Sequence, residues 1–152
     1  FRLQPVDPAD AFRGRYLDLN LSIPEFPVAD PSNYQYGQKA FVSLEKNKAW
    51  YAQFLDIHRE APANRDYLAV RVDHVASGSV FLSLSDEVTR YYLNEKLAPL
   101  ADKWYMELLS RTESKEVPVS IDLRVRKGKA LVERVYFEDT PVEEYIRRKE
   151  RE

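Results

Sequence analysis

The segment that decides the fold runs from Val117 to Phe137 and reads VPVSIDLRVRKGKALVERVYF. Apolar residues occupy every second position of its first half, at Val117, Val119, Ile121, Leu123 and Val125. Such alternation is typical of a β-strand with one buried face. The dipeptide Lys127-Gly128 predicts a tight turn, because glycine adopts the positive φ that a two-residue hairpin turn requires. With Ala130 to Phe137 as the returning strand, the segment predicts a β-hairpin.

The chain before this hairpin is also strand-rich. Five segments with strand patterns precede it, and they cover residues 15–23, 39–45, 50–57, 67–75 and 79–84. The first has a long alternation, and the row expected to be buried is Leu17, Leu19, Leu21 and Ile23. Residues 1–6 predict a short edge strand, since Pro5 removes a hydrogen-bond donor. Residues 24–36 contain three prolines and the turn cluster Asp30-Pro31-Ser32-Asn33, and predict a loop.

Two helical regions interrupt or follow the strands. After Ser85, a helix N-cap, Val88, Tyr91 and Tyr92 have helical spacing and predict a short helix. We expect this helix to break near Ala98. A second helix is predicted to follow with Pro99 in its first turn, because proline is tolerated there and not in a helix interior. Its apolar stripe, expected to pack on the sheet, is Leu97, Ala101, Trp104, Tyr105 and Leu108.

A terminal helix is predicted to begin at the capping-box sequence Thr140-Pro141-Val142-Glu143, with proline at the first helical position. It is expected to fray over residues 147–152. The order of elements predicts an α+β fold: a mostly antiparallel β-sheet with a helical insertion before a C-terminal β-hairpin and a terminal helix. A chain of 152 residues suits one hydrophobic core, so residues 1–152 are predicted to form a single globular domain.

Composition excludes several classes of function. The formal net charge is -2, so the chain lacks the overall basic charge typical of nucleic-acid-binding proteins. The absence of cysteine excludes disulfides, thiolate catalysis and Cys-ligated metal sites. The sequence contains no phosphate-binding glycine loop, dinucleotide fingerprint, HExxH or GxSxG motif. No cofactor, metal site or catalytic residue is therefore predicted, and His58 and His74 are interpreted as surface or strand-end histidines.

The segment from Val6 to Leu21, VDPADAFRGRYLDLNL, resembles the naming motif of the GDYxxLxY family of bacterial, typically membrane-anchored proteins. The residues that fit the pattern are Asp7, Pro8, Asp10, Arg13, Gly14, Tyr16 and Leu19; Arg15 and Leu21 stand where the motif has aspartate and tyrosine. Residues 40–45, 90–95 and 119–132 are similar to later segments of the family. The resemblance implies a hydrophobic anchor upstream of Phe1 and a domain outside the cytoplasm; a trimmed cytoplasmic protein is the alternative.

Candidate binding residues lie in two groups. The first surrounds the motif and consists of Asp7, Asp10, Arg13 and Tyr16; these residues would form either a carboxylate–guanidinium ligand site or a structural turn. The second consists of Tyr92, Glu95 and Asp122, which combine carboxylates with aromatic neighbours.

Such combinations suit glycan binding or acid/base hydrolysis. We expect a non-enzymatic, extracytoplasmic binding or interaction domain of a membrane-anchored protein, with a cell-envelope ligand or a membrane-protein partner. A carboxylate-based hydrolase acting on a glycan or other cell-envelope substrate is the alternative, and a purely structural domain that positions a membrane protein is the third.

Overall fold

The structure is a computed structural model that describes residues 1, 12–13, 16–19, 21, 23–49, 51–111 and 118–152. Its elements confirm the predicted α+β class and the mostly antiparallel pairing. The strands are β1 (Phe12–Arg13), β2 (Tyr16–Asp18), β3 (Phe26–Pro27), β4 (Lys39–Lys46), β5 (Ala52–His58), β6 (Tyr67–Ala76), β7 (Ser79–Ser83), β8 (Arg90–Tyr92), β9 (Val119–Arg126), β10 (Lys129–Phe137) and β11 (Thr140–Pro141). The helices are α1 (Asp86–Thr89), α2 (Ala98–Arg111) and α3 (Val142–Lys149), and a 3-10 turn covers Pro31–Asn33.

The backbone groups into two compact units. Unit 1 contains Phe1–Ser22, Asp86–Arg124 and Val132–Glu152, and unit 2 contains Ile23–Ser85 and Val125–Leu131. The chain passes between the units more than once, so neither unit is a continuous segment. That residues 1–152 form a single globular domain stays a prediction.

Unit 2 is built on a five-stranded sheet with the order β3-β7-β6-β4-β5, in which every pair is antiparallel. β6 and β7 form a hairpin whose turn, Ser77-Gly78, has positive φ at both residues (53° and 77°), as a two-residue turn requires. The predicted alternation is confirmed, because the core contains one row of β6 and residues from the other four strands: Phe26, Ala40, Val42, Ile57, Leu68, Val70, Val72 and Val80. The predicted loop at 24–36 is partly wrong, since Phe26–Pro27 pairs with β7.

Unit 1 contains the three-stranded sheet β1-β2-β8, most of the sheet β11-β10-β9, and the helices α1, α2 and α3. Residues 125–131, which include the turn between β9 and β10, are assigned to unit 2. The predicted hairpin is confirmed: β9 and β10 are neighbours, and Lys127 and Gly128 both have positive φ. Aromatic rings fill the core, where Phe137 stacks on Tyr105 and meets Tyr145 edge to face. Leu17, Leu19 and Leu21 are buried as predicted, and Ile23 of unit 2 is half-buried. The regular strand is shorter than predicted, however, and consists of Tyr16–Asp18.

Three helical predictions need correction. Tyr91 and Tyr92 belong to a strand and not to a helix, because α1 ends at Thr89 and residues 90–92 pair with β2. On α2 the buried residues are Ala98, Ala101, Tyr105 and Leu108, whereas Trp104 of α2 and Leu97, which precedes the helix, are half-buried. Trp104 contacts α3 through its edge-to-face packing on Tyr145.

The start of α3 also differs from the prediction. Pro141 is the N-cap and makes no side-chain cap hydrogen bond, because its ring has no polar atom to offer. Thr140 and Pro141 pair with β10 as β11, and the predicted capping box is not formed. The helix continues to Lys149, past the position where fraying was expected to begin, with three basic residues in its last turn. Cations at this end stabilise a helix through its dipole.

Candidate functional site

The candidate site is an exposed surface of unit 1 formed by Tyr16, Arg90 and Tyr92, which we call the tyrosine–arginine surface. Tyr16 of β2 lies directly opposite Tyr92 of β8 in the antiparallel register. Their ring centroids are 5.5 Å apart and the planes are inclined at 58°. Pairs of this kind stabilise neighbouring strands. Tyr92 nevertheless has 67% of its surface exposed, so most of the outer ring is accessible to a ligand.

Arg90 extends this surface because it lies two residues before Tyr92 and a strand has a side-chain period of two. Its guanidinium carbon is 4.7 Å from the centre of the Tyr16 ring, within the range of a cation–π interaction. Nη1 of Arg90 is 3.3 Å from Oδ2 of Asp86. Burial lowers the pKa of Arg90, but the charge of Asp86 and the contacts with Tyr16 and Tyr92 outweigh it and raise the pKa. Arg90 is therefore a permanent cation with a defined position.

The opposite face of β8 holds this surface in place. Tyr91 lies opposite Leu17, which is fully buried, and donates a hydrogen bond of 2.6 Å from its hydroxyl to Oε1 of Glu143 on α3. Burial and this hydrogen bond raise the pKa of Tyr91, so the phenol stays protonated and keeps donating. The strand is thus anchored on its inner side, and the outer side presents Arg90 and Tyr92 on a fixed backbone.

The chemistry available at the tyrosine–arginine surface is that of recognition. Aromatic faces provide area for a flat apolar group such as one side of a sugar ring. A guanidinium group binds carboxylate or phosphate through paired N–H donors. Asp86 already pairs with Arg90, so an anionic ligand would have to compete with an exposed carboxylate. Contact with the aromatic rings and pairing with the guanidinium are both binding interactions and require no proton transfer.

The structure brings together only part of the predicted site. Asp7, Asp10 and Gly14 lie outside the described residues. Arg13 is opposite Tyr16 in the β1–β2 register. Glu95, the third residue after Tyr92 in the sequence, is exposed. Asp122 lies on β9 in the other sheet of unit 1, where it accepts a hydrogen bond of 2.7 Å from the Tyr136 hydroxyl and raises the pKa of that tyrosine.

The two histidines have structural contacts. Nε2 of His58 is 3.0 Å from Oγ of Ser43, and that hydroxyl also donates to the carbonyl oxygen of Asp56 at 3.3 Å. Ser43 is completely buried, so this serine–histidine pair in unit 2 offers no nucleophile to a substrate. His74 stacks on Phe81 and contacts Asp73. Within the described ranges, no group of three His, Cys, Asp or Glu residues could hold a metal ion.

Arg90 is the residue that the sequence analysis missed. The reason is the helical interpretation of 88–92, which places Arg90 and Tyr92 on different sides of a helix. Arg90 belongs to the segment 90–95 that is similar to a family segment, and a strand period puts positions 90 and 92 on one face. A strand of three residues is too short for this period to be recognised from the sequence alone.

Comparison with known families gives a match over most of the chain. The model of the GDYXXLXY protein family matches residues 1–135. This chain belongs to the GDYXXLXY family. The matched region contains the whole tyrosine–arginine surface, whereas α3 lies beyond it. Neither the curated proteins nor the solved structures yield a match. Among the described residues, no helix has both the length and the apolar character needed to cross a membrane.

Proposed function

We propose that this GDYXXLXY protein acts by binding, without catalysis, as an extracytoplasmic domain of a membrane-anchored bacterial protein. The observation that carries the proposal is the Tyr16–Tyr92 pair, with Arg90 packed over one of its rings. Membership of the family supports the placement outside the cytoplasm, because the resemblance implies an N-terminal anchor.

The ligand that fits this surface best is a cell-envelope glycan that carries carboxylate groups. The ring of Tyr92 supplies an exposed apolar face, and the guanidinium of Arg90 lies beside it as the partner of an anion. Exposed aromatic rings next to arginine are also typical of protein–protein contacts. A membrane-protein partner is therefore a second outcome of the same experiment.

The experiment is a titration of the domain with soluble peptidoglycan fragments, followed by calorimetry. Tyr92→Ala is expected to weaken binding at least about tenfold, which corresponds to about 1.4 kcal/mol. Tyr36→Ala is the matched control, because Tyr36 is 84% exposed but belongs to unit 2. Equal affinity of the wild type and Tyr92→Ala would contradict the proposal for this surface. Enrichment of one membrane protein on the wild-type domain, lost in Tyr92→Ala, would assign the surface to a protein partner.

Placement and catalysis are tested separately. An alkaline phosphatase fusion after Glu152 in the full open reading frame is expected to be active, since this reporter works only outside the cytoplasm; an inactive fusion would contradict the extracytoplasmic placement. New reducing ends released from the fragments during incubation would support the alternative, a carboxylate-based hydrolase.

A further inference from the structure

A second surface lies on α3, at the end of the chain remote in sequence from the family motif. Its exposed face forms an open groove of about 430 Å³ lined by Glu144, Arg147, Arg148, Arg151 and Glu152. Glu144, Arg147 and Arg148 recur at helical spacing and so share one side of α3. Arg151 lies in the turn that follows the helix, where its amide donates to the carbonyl oxygen of Arg148. Val142, Tyr145 and Ile146 are buried on the other side. The groove therefore belongs to a helix that is fixed by its apolar face.

Among the described residues, the three arginines of this groove lack an ion-pair partner, unlike several other basic residues of unit 1. Arg90, Lys103, Arg111, Arg124 and Lys149 are each in an ion pair. The ion pairs found among the described residues include none of Arg147, Arg148 and Arg151. Glu152 is engaged by Lys149 at 3.8 Å, which leaves Glu144 as the acid of the groove without an ion pair. With three arginines and two glutamates in its lining, the groove carries a formal net positive charge.

Two of the guanidinium groups are held by contacts that leave their charge intact. Nε of Arg147 donates to the carbonyl oxygen of Glu143 at 3.3 Å. The guanidinium carbon of Arg148 is 5.6 Å from the centre of the Tyr145 ring, a side chain that is itself buried. Such contacts reduce the entropy that the side chains lose when they bind a ligand. The arginines are thus partly positioned for an anion before one arrives.

The helix dipole accounts for only part of this charge. The C-terminal end of a helix carries about half an elementary negative charge, which one cation largely compensates. Lys149, which lies in the same last turn, already contributes to that role. Three further guanidinium groups around one groove exceed what stabilisation of the helix end requires.

We propose that the α3 groove binds an anion that carries phosphate groups. Guanidinium groups match phosphate oxygens through paired hydrogen bonds, and three of them lining one groove can share a ligand with more than one charge. The phosphate could belong to a lipid headgroup or to a soluble phosphate compound, since both present the same oxygens. This inference does not depend on the tyrosine–arginine surface.

The test measures binding of inorganic pyrophosphate to the whole chain by calorimetry at constant ionic strength. The double variant Arg148→Gln/Arg151→Gln is expected to bind at least about tenfold more weakly, since each lost bond involves a charged group. Arg124→Gln is the control, because Arg124 is exposed on β9 and already paired with Glu133. Glu144→Gln is expected to tighten binding by removing a negative charge from the groove, and it keeps all three arginines. Far-UV circular dichroism checks that each variant folds.

Vesicles separate the two sources of phosphate. Sedimentation with phosphatidylglycerol vesicles but not with phosphatidylcholine vesicles, with release by pyrophosphate, would identify an anionic headgroup. Pyrophosphate binding without sedimentation would identify a soluble phosphate compound. Equal binding by the wild type and the double variant, or no saturable binding of pyrophosphate and no sedimentation, would overturn the proposal and leave the arginines as helix-end and solubility residues.

Discussion

The hydroxyl of Tyr91 and the carboxylate of Glu143 are joined by a hydrogen bond of 2.6 Å between residues 52 positions apart in the chain. The bond links β8 to α3, and thus the strand that carries Arg90 and Tyr92 to the helix that carries the arginine groove. Both elements belong to unit 1. Glu143 lies beyond the family match, so the last helix supports a strand that lies within the matched region.

Removal of this bond is expected to destabilise the protein. Tyr91→Phe keeps the ring but leaves the half-buried Glu143 without its donor, and we expect a loss of about 1–2 kcal/mol of unfolding free energy, because bonds to charged groups exceed neutral ones. Tyr92→Phe is the matched control, since its ring is largely exposed. The measurement is urea denaturation of both variants. A stability equal to that of the wild type in Tyr91→Phe would show that the bond does not contribute.

The sequence predicted those parts of the fold that local patterns specify. The alternation in residues 67–75, 79–84 and 117–125 indicates the strands, and the dipeptide Lys127-Gly128 indicates where the C-terminal hairpin reverses. Pro99 similarly marks the start of α2. These signals lie within about ten residues of the features they determine, so no long-range information is needed.

The candidate site was only partly predictable because it depends on a long-range pairing. Tyr16 and Tyr92 were each named as candidates, but their contact exists because β2 pairs with β8, far apart in the chain. β8 has three residues, too few for a period to be recognised. Arg90 was missed for the same reason. Asp122 was grouped with Tyr92 by composition, whereas the structure gives it Tyr136 as partner.

A buried hydroxyl in the core of unit 1 predicts a substitution that increases the free energy of unfolding. Tyr105 is fully buried, and its hydroxyl has no hydrogen-bond partner within the part of the chain that the structure describes. A polar group without a partner costs about 1–3 kcal/mol when it is buried. Tyr105→Phe is therefore expected to raise the free energy of unfolding by about 1 kcal/mol. A decrease in urea denaturation would indicate that a water molecule or another group satisfies the hydroxyl.

The same residue predicts a loss of stability at alkaline pH. Burial raises the pKa of Tyr105 to about 12, compared with about 10 in the unfolded chain. The stability linked to the protonated Tyr105 phenol is fully present below about pH 10 and is lost as the pH rises from about 10 towards 12. The reason is that Tyr105 releases its proton at a lower pH in the unfolded chain than in the folded protein. We expect the wild type to lose more stability than Tyr105→Phe over this range. Parallel losses for both proteins in thermal melts at several pH values would contradict this assignment.

The turn of the C-terminal hairpin approaches β6 so closely that a side chain would not fit. The amide of Ala69 donates to the carbonyl oxygen of Gly128 at 2.8 Å, and a Cβ on Gly128 would lie 2.8 Å from Cε2 of Tyr67 and 3.2 Å from Cβ of Ala69. Its φ of +80° adds backbone strain. We expect Gly128→Ala to lower the free energy of unfolding by about 2–4 kcal/mol, from the strained dihedral and the overpacking together.

Gly37→Ala separates the backbone strain from the overpacking, because Gly37 has a similar φ of +75° and nothing within 4 Å of the added Cβ. It should cost about 1 kcal/mol. Equal losses for the two variants in urea denaturation would show that the dihedral angle, and not the contact with Tyr67 and Ala69, requires glycine at position 128.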